Sequence, residues 1–233
     1  ALAAWLWARW LRPAQPGWLA CFGFAALWVA QEIFRGWFLT GFPWLYQGYI
    51  HTDTWLAGFA PIGGVWLLTF LTVLSACLLS ELRLWKRPSH AAAAVALLLA
   101  VWLGGKGLGA IEWTKPTGEP LSVALIQADI PQSRKWDPDH IQQTLSLYRD
   151  LSYAQGPVDL ILWPETAIPV LKTQAQGFAD AMAANLAEQG TTLITGIPVD
   201  NYDTGELRIF NGIMVAGTEE NQYLKNKLVP FGE

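Results

Sequence analysis

The sequence predicts an α-helical bundle that spans a membrane, followed by an α/β domain. Three long apolar segments, at about 17–34, 59–80 and 90–105, lie in the first half of the chain, and a membrane-spanning helix needs about 20 apolar residues. In the second half, strand-like runs alternate with helical ones, which is typical of a layered α/β fold. We therefore expect helices and an outer loop in residues 1–112 and the α/β domain in residues 113–233.

The charge composition also differs between the two halves. Residues 1–105 hold six Lys or Arg, three Asp or Glu and eleven of the fourteen Trp, for a net charge of +3. Residues 106–233 hold nine Lys or Arg and sixteen Asp or Glu, for a net charge of −7. Neither half interleaves basic and aromatic residues in the way that nucleic-acid-binding surfaces do, so we expect no nucleic acid partner.

The three apolar segments fit a membrane span to different degrees. The second, which contains VWLLTFLTVLSACLLS, is the clearest. The first carries Glu32 and Arg35 at its far end, where an i,i+3 ion pair near the membrane surface would make both charges tolerable. The third is short and rich in Ala, and Lys106 can extend its ammonium towards the lipid headgroups.

The charges between the apolar segments predict the orientation of the bundle. Two arginines precede the first segment, and Arg83, Lys86 and Arg87 lie between the second and the third. The connection over residues 36–58, between the first and the second segment, contains no Lys or Arg. Since positively charged loops stay in the cytoplasm, we expect the 36–58 loop and the α/β domain on the opposite side of the membrane, outside the cytoplasm.

The 36–58 loop is rich in Trp, Tyr and Phe, together with Gly and Pro. One interpretation is an aromatic belt at the membrane surface. The other is a lipid-facing surface beside an active site. The residue pattern alone favours the belt.

The α/β domain begins at about residue 117, and its elements can be placed from periodicity and end signals. Asp137 is expected to cap the first long helix, and the last two strands are expected to pair as a hairpin. No Gly-rich phosphate loop follows the first strand, so a nucleotide site is unsupported. The predicted strands are LSVALIQADI (121–130), VDLILWPE (158–165), TTLITGIPVD (191–200), RIFNGIMVAG (208–217) and QYLKNKLVPFGE (222–233), and the predicted helices cover 137–156 and 173–190.

The stretch DLILWPETAIP places a carboxylate, Glu165, directly after a buried strand. An ionised carboxylate in apolar surroundings is costly unless it has a partner or a chemical role. Lys225 in YLKNKLVPFGE supplies an ammonium, and Glu233 ends that stretch. A carboxylate that accepts a proton and an ammonium that stabilises an oxyanion are suited to acyl transfer. On charge pattern alone, a structural ion pair, or two residues that never meet, is the favoured interpretation.

Two motifs add a resemblance to this pattern. LILWPETAIP and YLKNKLVPFGE resemble the signatures of the nitrilase (carbon–nitrogen hydrolase) superfamily that carry the Glu and the Lys of a Glu-Lys-Cys triad. IQADIPQSRKWD, with GFPWL and APIGG upstream, is similar to the apolipoprotein N-acyltransferase family of the bacterial inner membrane. The resemblance runs from about residue 17 to the end of the chain. It implies a nitrilase-like αββα sandwich for the α/β domain.

Carried over residue by residue, the resemblance assigns a role to several side chains. It implies that Glu165 is the general base and that Lys225 stabilises the oxyanion. Glu233 would be a second glutamate that supports the site. Trp136 in SRKWD would bind substrate in the active site. Residues such as Phe42 and Trp44 would lie where acyl chains enter, which reverses the interpretation of the aromatic loop favoured by its pattern.

The resemblance also implies a reaction, the N-acylation step of lipoprotein biosynthesis. A cysteine deprotonated by Glu165 would attack the ester carbonyl of a phospholipid acyl chain. The α-amino group of the N-terminal diacylglyceryl-cysteine of an apolipoprotein would then attack the thioester. This chemistry requires neither a metal nor an organic cofactor. The alternatives are a membrane-tethered amidase or nitrilase that acts on a small amide, and a non-catalytic membrane scaffold.

The chain departs from that family in its nucleophile. In the family, the reactive Cys follows the PFGE motif by several dozen residues, whereas this sequence stops at Glu233. Cys21 and Cys77 lie in apolar segments, fit neither a disulfide framework nor a metal site, and are best explained as small buried side chains. The opening ALAAWLWARWL resembles the end of a further span and has no initiating Met. We therefore expect a fragment truncated at both ends, without its nucleophile.

Overall fold

The computed structural model describes residues 2–11, 17–81, 88–202, 205–217 and 221–228. These residues form two compact units, one ending at Pro116 and the other running from Thr117 to Leu228. Most of the cationic residues that predict the orientation of the bundle, namely Arg12, Arg83, Lys86 and Arg87, lie outside the described ranges.

In the described part of the first unit, all regular secondary structure is helical. A π-helical turn follows the first α-helix, and a loop with three short 3-10 helices joins the second α-helix to the third. The α-helices are α1 (Leu2–Leu6), α2 (Gly17–Trp37), α3 (Ala60–Glu81) and α4 (Pro88–Leu108), the π-helical turn is Trp7–Leu11, and the 3-10 helices are Phe38–Thr40, Gln47–His51 and Trp55–Phe59.

Helices α2, α3 and α4 share a core of small and aliphatic side chains. Its buried members are Cys21, Ala25, Val73, Leu74, Leu78 and Ala94. Helix α3 is broken near its start, where Gly64 has φ 56° and ψ −157°, a backbone conformation open almost only to glycine. The regular part of α3 therefore begins after the two glycines of the APIGG stretch.

Two helical stretches are long and apolar enough to cross a membrane, by length and composition: Trp55–Ser80 and Pro88–Leu108. They coincide with the second and third predicted spans. The first predicted span forms helix α2, but it carries Gln31, Glu32 and Arg35 and is not one of the described stretches that meet this criterion. Its position in a membrane stays a prediction.

A buried carboxylate joins the aromatic loop to the helices. Glu32 on α2 is 2% exposed. Its Oε2 accepts a hydrogen bond from Thr69 Oγ1 on α3 (2.8 Å), and its Oε1 accepts hydrogen bonds from the Gln47 N–H (2.9 Å) and from Trp28 Nε1 (3.3 Å). The predicted partner, Arg35, lies 3.9 Å from the same Oε1. Because that ion pair is long, the hydrogen bonds are the main contacts that satisfy the buried charge.

The second unit is built on one mixed sheet in the strand order β1-β2-β3-β4-β5. The β1–β2 and β2–β3 pairs are parallel, and the β3–β4 and β4–β5 pairs are antiparallel. The strands are β1 (Val123–Leu125), β2 (Leu160–Leu162), β3 (Thr192–Asn201), β4 (Arg208–Gly217) and β5 (Asn221–Leu224), and the α-helices are α5 (Gln132–Lys135), α6 (Ile141–Tyr153) and α7 (Lys172–Glu188).

Every predicted strand and helix of this unit is present, although β1, β2 and β5 are shorter than predicted. Asp137 caps a 3-10 turn that leads into α6, since its carboxylate accepts a hydrogen bond from the Asp139 N–H (3.1 Å). That bond is the main reason why the pKa of Asp137 is lowered. The predicted hairpin of the last two strands is confirmed, with Ile213 opposite Tyr223. The helix α5 was not predicted.

Helices α6 and α7 cover one face of the sheet and enclose the core. The core includes Leu145, Tyr148, Ile161, Trp163, Met182, Leu186, Leu193 and Ile197. The other face carries large apolar side chains that are exposed, namely Val123, Leu125, Ile209, Ile213 and Tyr223. The described residues thus provide one helical layer and one sheet, which is half of the expected αββα sandwich.

The core predicts a contrast between two leucines on the helices that cover the sheet. Leu186 on α7 is 2% exposed and Leu147 on α6 is 38% exposed. We expect Leu186→Ala to destabilise the unit by about 3 kcal/mol, because it leaves a cavity. Leu147→Ala should cost less than about 1 kcal/mol. Thermal unfolding of the two variants checks the order, and equal melting temperatures would contradict this packing.

The buried carboxylate of Glu32 predicts a difference in stability between a variant at this position and one at an exposed glutamate. Glu32→Ala removes the carboxylate that accepts three hydrogen bonds. The Thr69 hydroxyl and the Gln47 N–H then lose the acceptor to which they donate. We expect a loss of about 3 kcal/mol in the stability of the helical unit. Glu112→Ala, at an exposed position, is the control and should change the unfolding temperature in detergent very little. A wild-type unfolding temperature for Glu32→Ala would refute this role.

Candidate active site

Glu165 lies on a tight turn that follows strand β2. The Trp163 N–H still pairs with β3 by donating to the Ile194 carbonyl (2.9 Å). Pro164 has no N–H and ends the ladder, and its carbonyl accepts a hydrogen bond from the Ala167 N–H (3.2 Å). The Glu165 side chain is 64% exposed. The sequence suggested a carboxylate in apolar surroundings, and the structure instead places it outside the helical core.

The turn is held against strand β3 at Gly196. The Gly196 N–H donates to the Pro164 carbonyl (3.3 Å), and its own carbonyl accepts a hydrogen bond from the Ile168 N–H (3.2 Å). A Cβ at Gly196 would lie 2.7 Å from the Glu165 Cα, closer than real Cβ atoms approach. Thr166 has a left-handed φ of 50°, an uncommon conformation for Thr that these contacts hold in place. Gly196 therefore permits the position of Glu165.

Lys225 reaches the same point from the far edge of the sheet. It follows β5, and its N–H donates to the Asn211 carbonyl on β4 (2.9 Å), which extends the β4–β5 register by one residue. Its Nζ lies 3.4 Å from Glu165 Oε1. The structure thus brings together the two predicted residues, which are 60 positions apart in the chain.

Asn211 completes the cluster. Its Nδ2 donates a short hydrogen bond to Glu165 Oε1, the same oxygen that faces Lys225. Among the described residues, none donates a hydrogen bond to Glu165 Oε2. The sequence analysis missed Asn211. The one available signal was an amide in the middle of an otherwise apolar strand, where Asn is uncommon.

A cleft of about 600 Å³ with both polar and apolar lining opens on one side of Glu165. Its lining includes Gln127, Asp129, Lys135 and Tyr148. Lys135 Nζ donates to the Glu165 backbone carbonyl (3.1 Å) and so holds the turn from this side. Burial raises the pKa of Tyr148, so its phenol keeps its proton at neutral pH.

A smaller cleft of about 290 Å³ lies on the other side of Glu165 and is mostly apolar. Trp163, Ile194, Ile213 and Tyr223 line it, and Lys225 lies at its wall. Glu165 therefore lines both clefts, one with mixed polar and apolar walls and one with mostly apolar walls. This setting is suited to a reaction on a molecule with both polar and apolar parts.

The other predicted residues have different surroundings. Trp136 directly follows α5 with its side chain 55% exposed, and its neighbour Lys135 is the residue bonded to the Glu165 turn. Phe42 and Trp44 belong to the first unit, where their exposed rings are in contact at 5.2 Å between centroids. Glu233 lies outside the described residues.

The cluster has two of the three groups that acyl transfer through a covalent intermediate requires. The carboxylate of Glu165 can accept a proton, and the ammonium of Lys225 can stabilise an oxyanion. The third group is a nucleophile. The two cysteines of the sequence, Cys21 and Cys77, lie on α2 and α3 of the first unit. In the described part of the chain, no group of three or more His, Cys, Asp or Glu side chains is arranged to hold a metal ion.

The close approach at Gly196 predicts a large effect of a single methyl group. We expect Gly196→Ala to destabilise the second unit by about 2 to 4 kcal/mol, because the added Cβ collides with the backbone of the Glu165 turn. Gly177→Ala, in helix α7 with open space around its Cα, is the matched control and should be neutral or stabilising by up to about 1 kcal/mol. If thermal unfolding ranks both variants alike, the turn does not depend on this contact.

Comparisons with known proteins agree with the motifs. Residues 1–78 match the family model of the apolipoprotein N-acyltransferase N-terminal domain. The chain is 56% identical to the apolipoprotein N-acyltransferase of Pseudomonas putida, 52% to that of Pseudomonas syringae pv. tomato and 50% to that of Azotobacter vinelandii. Each alignment covers 100% of this chain and 46% of the relative, so the chain spans about half the length of these curated relatives. By this identity over its whole length, the chain belongs to the apolipoprotein N-acyltransferase family.

Proposed function

We propose that this chain carries the general base and the oxyanion-stabilising lysine of an enzyme that N-acylates bacterial apolipoproteins. The observation that carries the proposal is the contact between Glu165 Oε1 and Lys225 Nζ at 3.4 Å, formed at the end of a buried strand. Family membership supports the acyl acceptor, an apolipoprotein. We propose a phospholipid as the acyl donor, which fits a site flanked by one cleft of mixed polarity and one mostly apolar cleft.

In the first step, the nucleophilic cysteine loses its thiol proton to Glu165 and attacks the ester carbonyl of the acyl chain. The electron pair of the carbonyl moves onto its oxygen, where the Lys225 ammonium stabilises the negative charge. When the tetrahedral intermediate collapses, the lysophospholipid oxygen leaves and takes the proton from Glu165. An acyl thioester remains on the enzyme.

In the second step, the α-amino group of the diacylglyceryl-cysteine attacks the thioester. The amine transfers a proton to Glu165, an amide bond forms, and the cysteine leaves as a thiolate that recovers its proton. A thioester suits this exchange because a thiolate leaves more readily than an alkoxide. Glu165 thus acts as base and then as acid in the first step, and again in the second.

The membrane setting of this reaction follows from its substrates, which are both lipids. Two helical stretches of the first unit have the length and composition to cross a bilayer, which supports a multi-pass protein of the inner membrane. The exposed rings of Phe42 and Trp44 fit contact with acyl chains. We propose the periplasmic side for the second unit, and Trp136 as a substrate contact whose exposure leaves it accessible.

The rest of the catalytic domain is also a proposal. We propose that a second sheet, beyond this chain, covers the apolar sheet face that carries Leu125, Ile213 and Tyr223 and completes an αββα sandwich. That half would bring the nucleophilic cysteine to the open side of Glu165. Glu233 would support the site from the PFGE motif.

The proposal predicts a covalent adduct on the full-length protein in membranes. We would supply a phospholipid with a labelled sn-1 acyl chain and measure label that is bound to the protein and released by neutral hydroxylamine. Glu165→Gln should reduce the rate of labelling by about 100-fold or more, because the base is lost. Lys225→Met should also reduce it strongly.

Glu188→Gln, an exposed position on α7, is the matched control and should label at the wild-type rate. Wild-type labelling of Glu165→Gln would contradict the role of Glu165. Absence of any adduct on the folded wild-type protein would contradict the acyl-enzyme itself. In that case, turnover of small soluble amides would indicate an amidase, and no turnover would indicate a scaffold.

A further inference from the structure

The two oxygens of the Glu165 carboxylate are in different surroundings. Oε1 accepts a hydrogen bond from Asn211 Nδ2 and faces Lys225 Nζ at 3.4 Å. Oε2 accepts a hydrogen bond from none of the described residues. A carboxylate with one oxygen held by two donors has a fixed orientation, and its second oxygen is the one available to a new partner.

From this asymmetry, and resting on the proposed function, we propose that Asn211 is a positioning residue that directs Glu165 Oε2 at the nucleophile. In the first step, the S–H bond of the attacking cysteine breaks and an O–H bond forms at Oε2. The electron pair stays on sulfur and forms the new bond to the ester carbonyl carbon. Oε1 keeps both donors throughout, so Lys225 stays beside the carboxylate and next to the oxyanion.

Asn211 is built into the site by its backbone as well as its side chain. Its carbonyl accepts the Lys225 N–H (2.9 Å), which sets the start of the Lys225 side chain. Its own strand position is fixed by pairing with Pro198 on β3. One residue therefore determines the placement of both charged groups, Glu165 through a side-chain bond and Lys225 through a backbone bond.

An amide has a chemical advantage at this position over other polar side chains. The NH₂ group of Asn donates a hydrogen bond at any pH and carries no charge. A neutral donor of this kind can hold a carboxylate without competing for its proton. An Asp of nearly the same shape would instead place a second negative charge against Glu165, and the site would then hold a proton at neutral pH.

Several charged or titratable groups lie around Glu165 in addition to Asn211. Lys225 lies at Oε1, and Lys135 lies at the Glu165 backbone carbonyl. Asp129 lines the larger cleft and Tyr223 the smaller one. All four remain unchanged when Asn211 alone is replaced, so a change in the pH profile reports on Asn211.

The test uses the full-length protein in membranes and the rate of acyl-enzyme formation from a phospholipid labelled in its acyl chain, measured from pH 5 to pH 10. We expect Asn211→Ala to reduce the rate at pH 7 by about tenfold to a hundredfold, since a hydrogen bond to a charged group is lost. The rising limb of the rate against pH should move to higher pH. Asn211→Asp should move it further, because it adds a like charge.

Asn221→Asp makes the same chemical change at an exposed position on β5, where a carboxylate can still accept the Gln222 N–H. It should retain the wild-type rate and profile. Thermal unfolding of each variant identifies loss of fold, and Asn211→Ala decides the outcome if Asn211→Asp does not fold.

Two results would overturn the proposal. One is a wild-type rate and profile in both Asn211 variants. The other is a reduced rate with an unchanged pH profile, which would indicate that Asn211 supports the fold alone. Labelling of the wild-type protein is measured in the same experiment. Its absence would count against the proposed function itself and is thus distinguished from a failure at Asn211.

Discussion

The contact between the Pro164–Ile168 turn and strand β3 is the constraint on which the site depends. Two backbone hydrogen bonds at Gly196 hold this turn, and the absence of a side chain there allows the Glu165 Cα to come close to the sheet. If the turn moved by one bond length, Oε1 would no longer meet both Asn211 and Lys225. The chemistry of the cluster therefore follows from how closely two backbone segments approach each other.

The sheet topology explains why residues so distant in the sequence meet here. Strands β2 and β3 are parallel, β4 runs antiparallel to β3, and β5 runs antiparallel to β4 and therefore in the direction of β2. The end of β2 thus lies on the same side of the sheet as the end of β5, with the middle of β4 between them. Glu165, Asn211 and Lys225 come from these three places. Helices α6 and α7 pack on the opposite face and make the sheet a rigid support for them.

Two carboxylates of the chain, Glu32 and Glu165, differ in how completely hydrogen-bond donors satisfy their oxygens. Glu32 is buried, and three hydrogen bonds satisfy it, so its charge serves to connect the aromatic loop to α2 and α3. Glu165 is exposed, and the donors to it among the described residues lie at one oxygen, Oε1. The first arrangement is suited to holding structure together, and the second leaves an acceptor available for chemistry.

The sequence by itself determined the division into a helical and an α/β unit and the order of the elements. It also identified Glu165 and Lys225 as candidate site residues. These inferences rest on local information: apolar periodicity, a proline after a buried strand, and motif wording. Tertiary structure decided that Glu165 and Lys225 meet, that Asn211 and Lys135 join them, and that Glu165 is exposed whereas Glu32 is buried. Only the tertiary structure could decide these points, because strand register and burial are set by pairing between segments far apart in the chain. No local sequence pattern encodes that pairing.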